Sequence, residues 1–133
     1  MTYAFGSRSR DALATCHRDL QAIAREAIQL TDFSVLEGHR GEDRQNALVE
    51  AGKSWTRWPH GKHNASPSLA FDFSPYPVDW NDLSRFTYLS GVMIGIGHGM
   101  GIRLRYGGDW NSNGDLMDEN PETRDWGHIE LVR

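Results

Sequence analysis

LAFDFSP, residues 69–75, alternates as a strand does. Phe71 and Phe73 fall on one face, and Ala70, Asp72 and Ser74 on the other. The aromatic face can enter a core while the small, polar face lines a site. An aspartate between two phenylalanines is costly to bury without a partner or an ion. A second strand, HIELV over 128–132, repeats the arrangement, with His128 and Glu130 on one face and Ile129 and Leu131 on the other.

Working outward, the spacing predicts a first helix from a Ser7 or Ser9 cap to about Leu30. Its buried stripe is Leu13, Cys16, Leu20, Ile23, Ala27 and Leu30. FSVLEG (33–38) reads as a strand. EDRQNALVEAG (42–52) reads as a helix stopped by Gly52. KSWTRWPHGKHNASP (53–67) is a loop. Asn81 can cap a helix through about His98, with Leu83, Phe86, Leu89, Met93 and Ile96 inside. IRLRY (102–106) alternates as a strand, and residues 107–127 form a polar, acidic loop. The expected class is α+β, with about three helices on a small, mainly antiparallel sheet. No repeat or linker is visible, so residues 1–133 read as one domain.

Composition narrows the function. Apolar residues are 38% and charged residues 24%, which fits a folded chain. The net charge of −4 argues against a nucleic-acid partner held through phosphates, and against charge-driven adhesion to an anionic membrane. One cysteine, Cys16, excludes an intrachain disulfide; on the apolar stripe it reads as a core residue. The opening MTYAFGSRSRDALATC has no apolar signal-peptide core, and no stretch is long enough to span a bilayer. The expectation is a protein made and kept in the cytosol until something else releases it.

His63, Asp72 and His128 carry the chemistry. Two imidazoles and one carboxylate can hold zinc and leave a fourth position for water. Zinc lowers the pKa of water to about 7 and polarises a carbonyl. Asp125, three residues before His128, is placed for a general base in a turn containing Gly127. Arg40 can stabilise an oxyanion or grip a substrate carboxylate. The competing readings are plain. A lone strand histidine is more often a hydrogen-bonded structural residue, and His60 rivals His63 as a ligand. Glu130 is either a partner of His128 or a surface carboxylate. Trp126, beside Asp125, is the candidate substrate wall among five tryptophans. The glycines of GVMIGIGHGMG do not form a dinucleotide fingerprint and fit a helix end better.

The segments EGHR, Q-x-x-L-x-x-x-GKS, KHN-x-x-PSLAFDFSPYP-x-DW, GGDWN and D-x-GHIELV resemble the peptidoglycan metallopeptidases, which include D-alanyl-D-alanine carboxypeptidases and phage L-alanyl-D-glutamate endopeptidases. FGSRSRDALATCHRDLQ resembles the opening of small phage endolysins of that family. The likeness runs nearly end to end. It implies a hedgehog or D-Ala-D-Ala peptidase-like fold, zinc ligands His63, Asp72 and His128, Asp125 as base, and Arg40 in the substrate site. It also implies a monomeric lysin of bacterial peptidoglycan that waits in the host cytosol, and the lack of a wall-binding domain is similar to lysins of Gram-negative hosts. Two positions depart from the family pattern. Gly61 stands where many members carry serine, and nine residues separate His63 from Asp72 where seven are common. Ser66 or Ser68 is the expected replacement for that serine at the substrate.

DWNSNGDLMDEN (109–120) follows the start of an EF-hand loop through Asp109, Asn111, Asn113 and Asp115, with Gly114 between the last two. Its twelfth position is Asn120, with Asp118, Glu119 and Glu122 close by, and a strand precedes it where an EF-hand has a helix. The expectations are a regulatory calcium loop on another scaffold, as the resemblance to phage endopeptidases implies, or a solvated turn of Asx caps.

Overall fold

The computed structural model describes residues 3–118 and 124–133. Along these the chain runs α1 (Ser7–Ala14), α2 (Arg18–Leu30), β1 (Phe33–Glu37), α3 (Glu42–Glu50) and a 3-10 turn (Lys62–Asn64). Then follow β2 (Ala70–Pro75), α4 (Leu83–Gly99), β3 (Leu104–Tyr106) and β4 (His128–Leu131). The strands form an antiparallel sheet in the order β1-β2-β4-β3. The class is α+β, as the alternating patterns require.

Burial explains the layering. Phe71, Phe73, Ile129 and Leu131 are fully buried and share one cluster with Leu20, Ile23 and Ala27 of α2 and Phe86, Leu89 and Met93 of α4. One face of the sheet therefore packs on two helices, and period-two alternation commits the other face to polar groups. Register does the rest. Asp72 pairs with His128 on one side and with Glu37 on the other. Three residues far apart in sequence thus stand in a row across three strands. An irregularity between Val35 and Glu37 shifts the end of β1, and Leu36 beside it is exposed.

The first expected helix is two. The chain breaks after Ala14 because residues 15–17 pair with the loop before β2: His17 N–H donates to Ser68 O at 2.8 Å, and Ser68 N–H to Thr15 O at 2.8 Å. His17 then caps α2, its Nδ1 accepting from Asp19 N–H at 3.0 Å. Apolar periodicity continued through this break, so the pattern hid it. Leu30 is 66% exposed at the end of α2 and Leu83 is exposed at the start of α4, so neither belongs to the core. Asp82, not Asn81, occupies the cap position of α4. Ala70 and Ser74 are fully buried, which leaves Asp72 as the residue that β2 offers to a site.

Candidate metal centre

His63 Nε2, Asp72 Oδ1 and His128 Nδ1 converge. Their separations are 3.2 Å (His63 to Asp72), 3.3 Å (His63 to His128) and 3.3 Å (His128 to Asp72). Donors at zinc bond lengths around a tetrahedral ion stand about 3.3 Å apart, so the triangle has the size such an ion needs. It is the metal-sized grouping of histidine, cysteine and carboxylate donors found among the described residues.

The outer partners fix which atoms face inward. His63 Nδ1 lies 2.7 Å from Gly38 O. A carbonyl only accepts, so Nδ1 carries the proton and Nε2 presents its lone pair. His128 Nε2 donates to Glu130 Oε1 at 2.8 Å, leaving Nδ1 as the inward lone pair. Asp72 Oδ2 accepts from Arg40 Nη2 at 2.7 Å, leaving Oδ1. Three lone-pair donors then face one another with no proton among them. A cation satisfies that arrangement, so the residues fit a metal.

Electrostatics say the same of the metal-free protein. Burial opposes a charged His128, but its bonds to Asp72 and Glu130 outweigh burial and push its pKa up to about 9. Burial also opposes ionised Asp72, but its contacts with His128 and His63 hold its carboxyl far below the usual range. A proton takes up the role that the cation would otherwise fill.

Supports radiate from this centre. Arg40 donates Nε to Glu37 Oε1 at 2.6 Å, and Arg44 donates Nε to Glu37 Oε2 at 3.0 Å. Arg105 donates to Glu130 Oε2 at 2.9 Å, and its guanidinium lies 5.3 Å from the Trp110 ring centroid. Trp110 in turn stands 5.6 Å from the His128 ring, centroid to centroid. Asn64, next to His63, donates Nδ2 to Gln45 Oε1 at 3.2 Å, and Gln45 is buried.

Asp125 stands at the meeting point of two groove arms, one lined by Arg44 and Trp80, the other by Lys53, Trp55 and Trp110; Arg40 lines both. The Asp125 side chain reaches solvent. The surrounding protein still displaces part of its hydration, and the Asp72 charge adds to this, so its pKa is raised. A carboxylate made more basic in this way suits proton abstraction. Its backbone is pinned by Asp125 N–H to Gly107 O at 2.9 Å. A Cβ at Gly107 would come within 2.1 Å of Asp125 O, and one at Gly127 within 2.8 Å of Phe73 O. Both glycines are needed for close backbone approach.

His60 is exposed on the groove and is not one of the converging donors. Ser68 cannot be the substrate serine. It is fully buried, and its hydroxyl donates to Ala70 O at 2.6 Å. Trp126 is not among the groove residues. It packs against the core, edge-on to Tyr106 at 6.3 Å, with Arg124 over its ring. Exposed Trp80, stacked on Phe86 at 5.4 Å, and Trp110 wall the groove instead. Tryptophan identity gave no way to choose among the five. Glu37 and Arg105 were also missed; the Glu37-x-x-Arg40 spacing was the available signal for the first.

In the acidic loop each predicted oxygen accepts a backbone N–H. Asp109 Oδ2 takes Gly114 at 2.9 Å, Asn111 takes Asn113 at 3.2 Å, Asn113 takes Asp115 at 2.8 Å, and Asp115 takes Met117 at 2.9 Å. Gly114 has φ +80°, the left-handed turn that glycine permits. Glu119, Asn120 and Glu122 lie outside the described residues.

Fold and site together define an α+β protein in which three converging donors that could hold a metal ion open on a groove beside the Asp125 carboxylate, a layout that suits a hydrolase. The family model of phage L-alanyl-D-glutamate peptidases matches residues 1–132. The L-alanyl-D-glutamate peptidase of Escherichia phage T5 is 38% identical over 138 residues, spanning 99% of this chain and 100% of that protein. The L-Ala D-Glu endopeptidase ChiX of Serratia marcescens is similar in structure, with a TM-score of 0.76, 27% identity, and coverage of 97% of this chain and 90% of its own. The chain belongs to the phage L-alanyl-D-glutamate peptidase family.

Proposed function

We propose that this protein is a zinc-dependent endopeptidase that cuts the L-alanyl-D-glutamate bond in the stem peptide of bacterial peptidoglycan, and so serves a phage as an endolysin. The observation that carries this reading is the triangle of His63, Asp72 and His128, with each outer atom already tethered. Two nitrogens and one oxygen suit zinc and leave one position for water. When bound, zinc lowers the pKa of water to about 7 and polarises the scissile carbonyl.

The chain's own groups supply the remaining steps. Asp125, which lines both groove arms, takes a proton from the attacking water and passes it to the departing amine of the glutamyl residue. Arg40 orients the Asp72 carboxylate through Nη2 and borders both arms of the groove, where its charge faces the developing oxyanion. Trp80 and Trp110 flank the cleavage point. The enzyme acts as a monomeric single domain held in the host cytosol until the membrane is breached. No helix among the described residues is long and apolar enough to cross a membrane.

Calcium is the second metal of this reading. It is bound through Asp109, Asn111, Asn113 and Asp115, in the loop that precedes Asp125. The buried Oδ1 of Asp109 has no hydrogen-bond donor among the described residues, which supports a cation there. A calcium titration that moved neither melting temperature nor activity would remove this part of the reading.

Mass spectrometry of digested muropeptides, with metal analysis of the purified protein, tests the main claim. The expected product carries a new D-glutamate N-terminus, with one zinc per chain. Asp125→Asn abolishes cleavage while zinc content and fold persist. Release of free D-alanine instead marks a D-alanyl-D-alanine carboxypeptidase with the same metal site.

A further inference from the structure

The two groove arms differ in chemistry. One is walled by Leu36 and Trp80, and Trp80 is 57% exposed. The guanidinium groups on that side, Arg40 and Arg44, are already bonded to Glu37. The other arm is walled by Lys53, Trp55 and Trp110. There Arg105 is bonded to Glu130, and Lys62 donates its ammonium to the carbonyls of Leu131 and Arg133. Among the described residues the Lys53 ammonium has no hydrogen bond or ion pair.

The segment that carries Lys53 is rigidly held. The backbone N–H groups of Lys53 and Ser54 both donate to Leu48 O, at 2.8 and 3.2 Å. Gln45 donates to Ser54 Oγ at 3.0 Å and to Thr56 O, and it accepts from Asn64 beside His63. An ordinary loop tip needs no buried amide to fix it. Here such an amide presents Trp55, 72% exposed, and Lys53 at the edge of the groove. Ordering the loop in advance lowers the entropy cost of binding.

The substrate has a matching asymmetry. A glutamyl residue within a chain uses one carboxyl in the next peptide bond and keeps the other charged. That charge lies on the amine side of the scissile bond. The alanyl side offers a methyl and, through its acyl link, an uncharged sugar. Resting on the endopeptidase reading above, we propose that Lys53 is a specificity residue that reads the free glutamyl carboxylate, with the stem running from the Trp80 arm on the alanyl side to the Lys53 arm on the glutamyl side. The Lys53 ammonium meets the charge nearest the scissile bond on the amine side, and the Trp80 indole meets the uncharged end.

Two synthetic stem tetrapeptides test this, one with the glutamyl carboxylate free and one with it amidated. Each is measured for kcat and KM against the wild-type protein and the variants Lys53→Ala, Lys53→Arg, Trp80→Ala and Arg44→Ala. The wild type should prefer the acid form by about tenfold, the size of one charge-assisted contact. Lys53→Ala should close that gap, chiefly through KM on the acid form, and Lys53→Arg should keep it. Trp80→Ala should weaken both forms alike. If Lys53→Ala retains the preference, or Arg44→Ala abolishes it, the assignment is overturned. A wild-type protein that cuts neither peptide nor whole peptidoglycan sinks the endopeptidase reading itself, a different failure.

Discussion

His128 and Glu130 lie two residues apart on β4, on the same face, and hydrogen-bond directly, Nε2 to Oε1, at 2.8 Å. That bond fixes the imidazole tautomer and turns Nδ1 toward Asp72 and His63. Glu130→Gln keeps the size and loses the charge. Zinc affinity should fall about ten- to a hundredfold, read by competition with a chelating dye. Unchanged affinity would show that the pair does not orient the donor.

On the proposed reading, protons and a metal ion would compete for the same centre. In the metal-free protein His128 has its pKa raised from 6.5 to about 9. A raised folded-state value stabilises the protein fully below pH 6.5, and that contribution is lost as pH climbs through 9. The melting temperature of chelator-treated protein should therefore decline across this window. Zinc affinity should rise across it by about tenfold per pH unit, since binding releases the proton. Affinity independent of pH between these limits would contradict the assignment.

Gly107 is a steric requirement of the site. Its N–H donates to His128 O at 2.9 Å and its carbonyl accepts from Asp125 N–H at 2.9 Å, so it clamps both ends of the turn that carries Asp125, the proposed base. Gly107→Ala would drive a methyl into Asp125 O and should cost about 1–3 kcal/mol in denaturant unfolding. Cleavage should drop more steeply than stability, because Asp125 moves. A fully active variant would show that the position of this turn does not matter.

Ser68 gives the converse case. Its hydroxyl bonds within the buried loop, to Ala70 O. Ser68→Ala should lower stability by about 1 kcal/mol and leave kcat/KM unchanged. A catalytic defect without loss of stability would return Ser68 to the substrate site.

Much of this was legible in the chain. Phe71-Asp72-Phe73 and His128-Ile129-Glu130 announced two strands, each with a buried face and a polar face, and the structure has both. The groups that support the donors were harder to read. Glu37, Arg105 and Trp110 act through contacts across strands and loops, and no spacing rule encodes those. The break between α1 and α2 was invisible for a related reason. Its cause is a pairing with Ser68, some fifty residues away in sequence. Trp126 follows Asp125 directly in the chain, but neighbours in sequence point different ways, and its ring packs against the core.

The sequence by itself determined which residue types were available and which face of each strand they occupy, because side-chain alternation is a local property of the backbone. Only the tertiary structure decided that Asp72 stands opposite His128, that His63 swings in through Gly38, and that Arg40 holds the remaining carboxylate oxygen. Those choices depend on strand register and on the packing of the Phe71 and Ile129 faces against α2 and α4. These are interactions between segments, so no single stretch of the chain contains them.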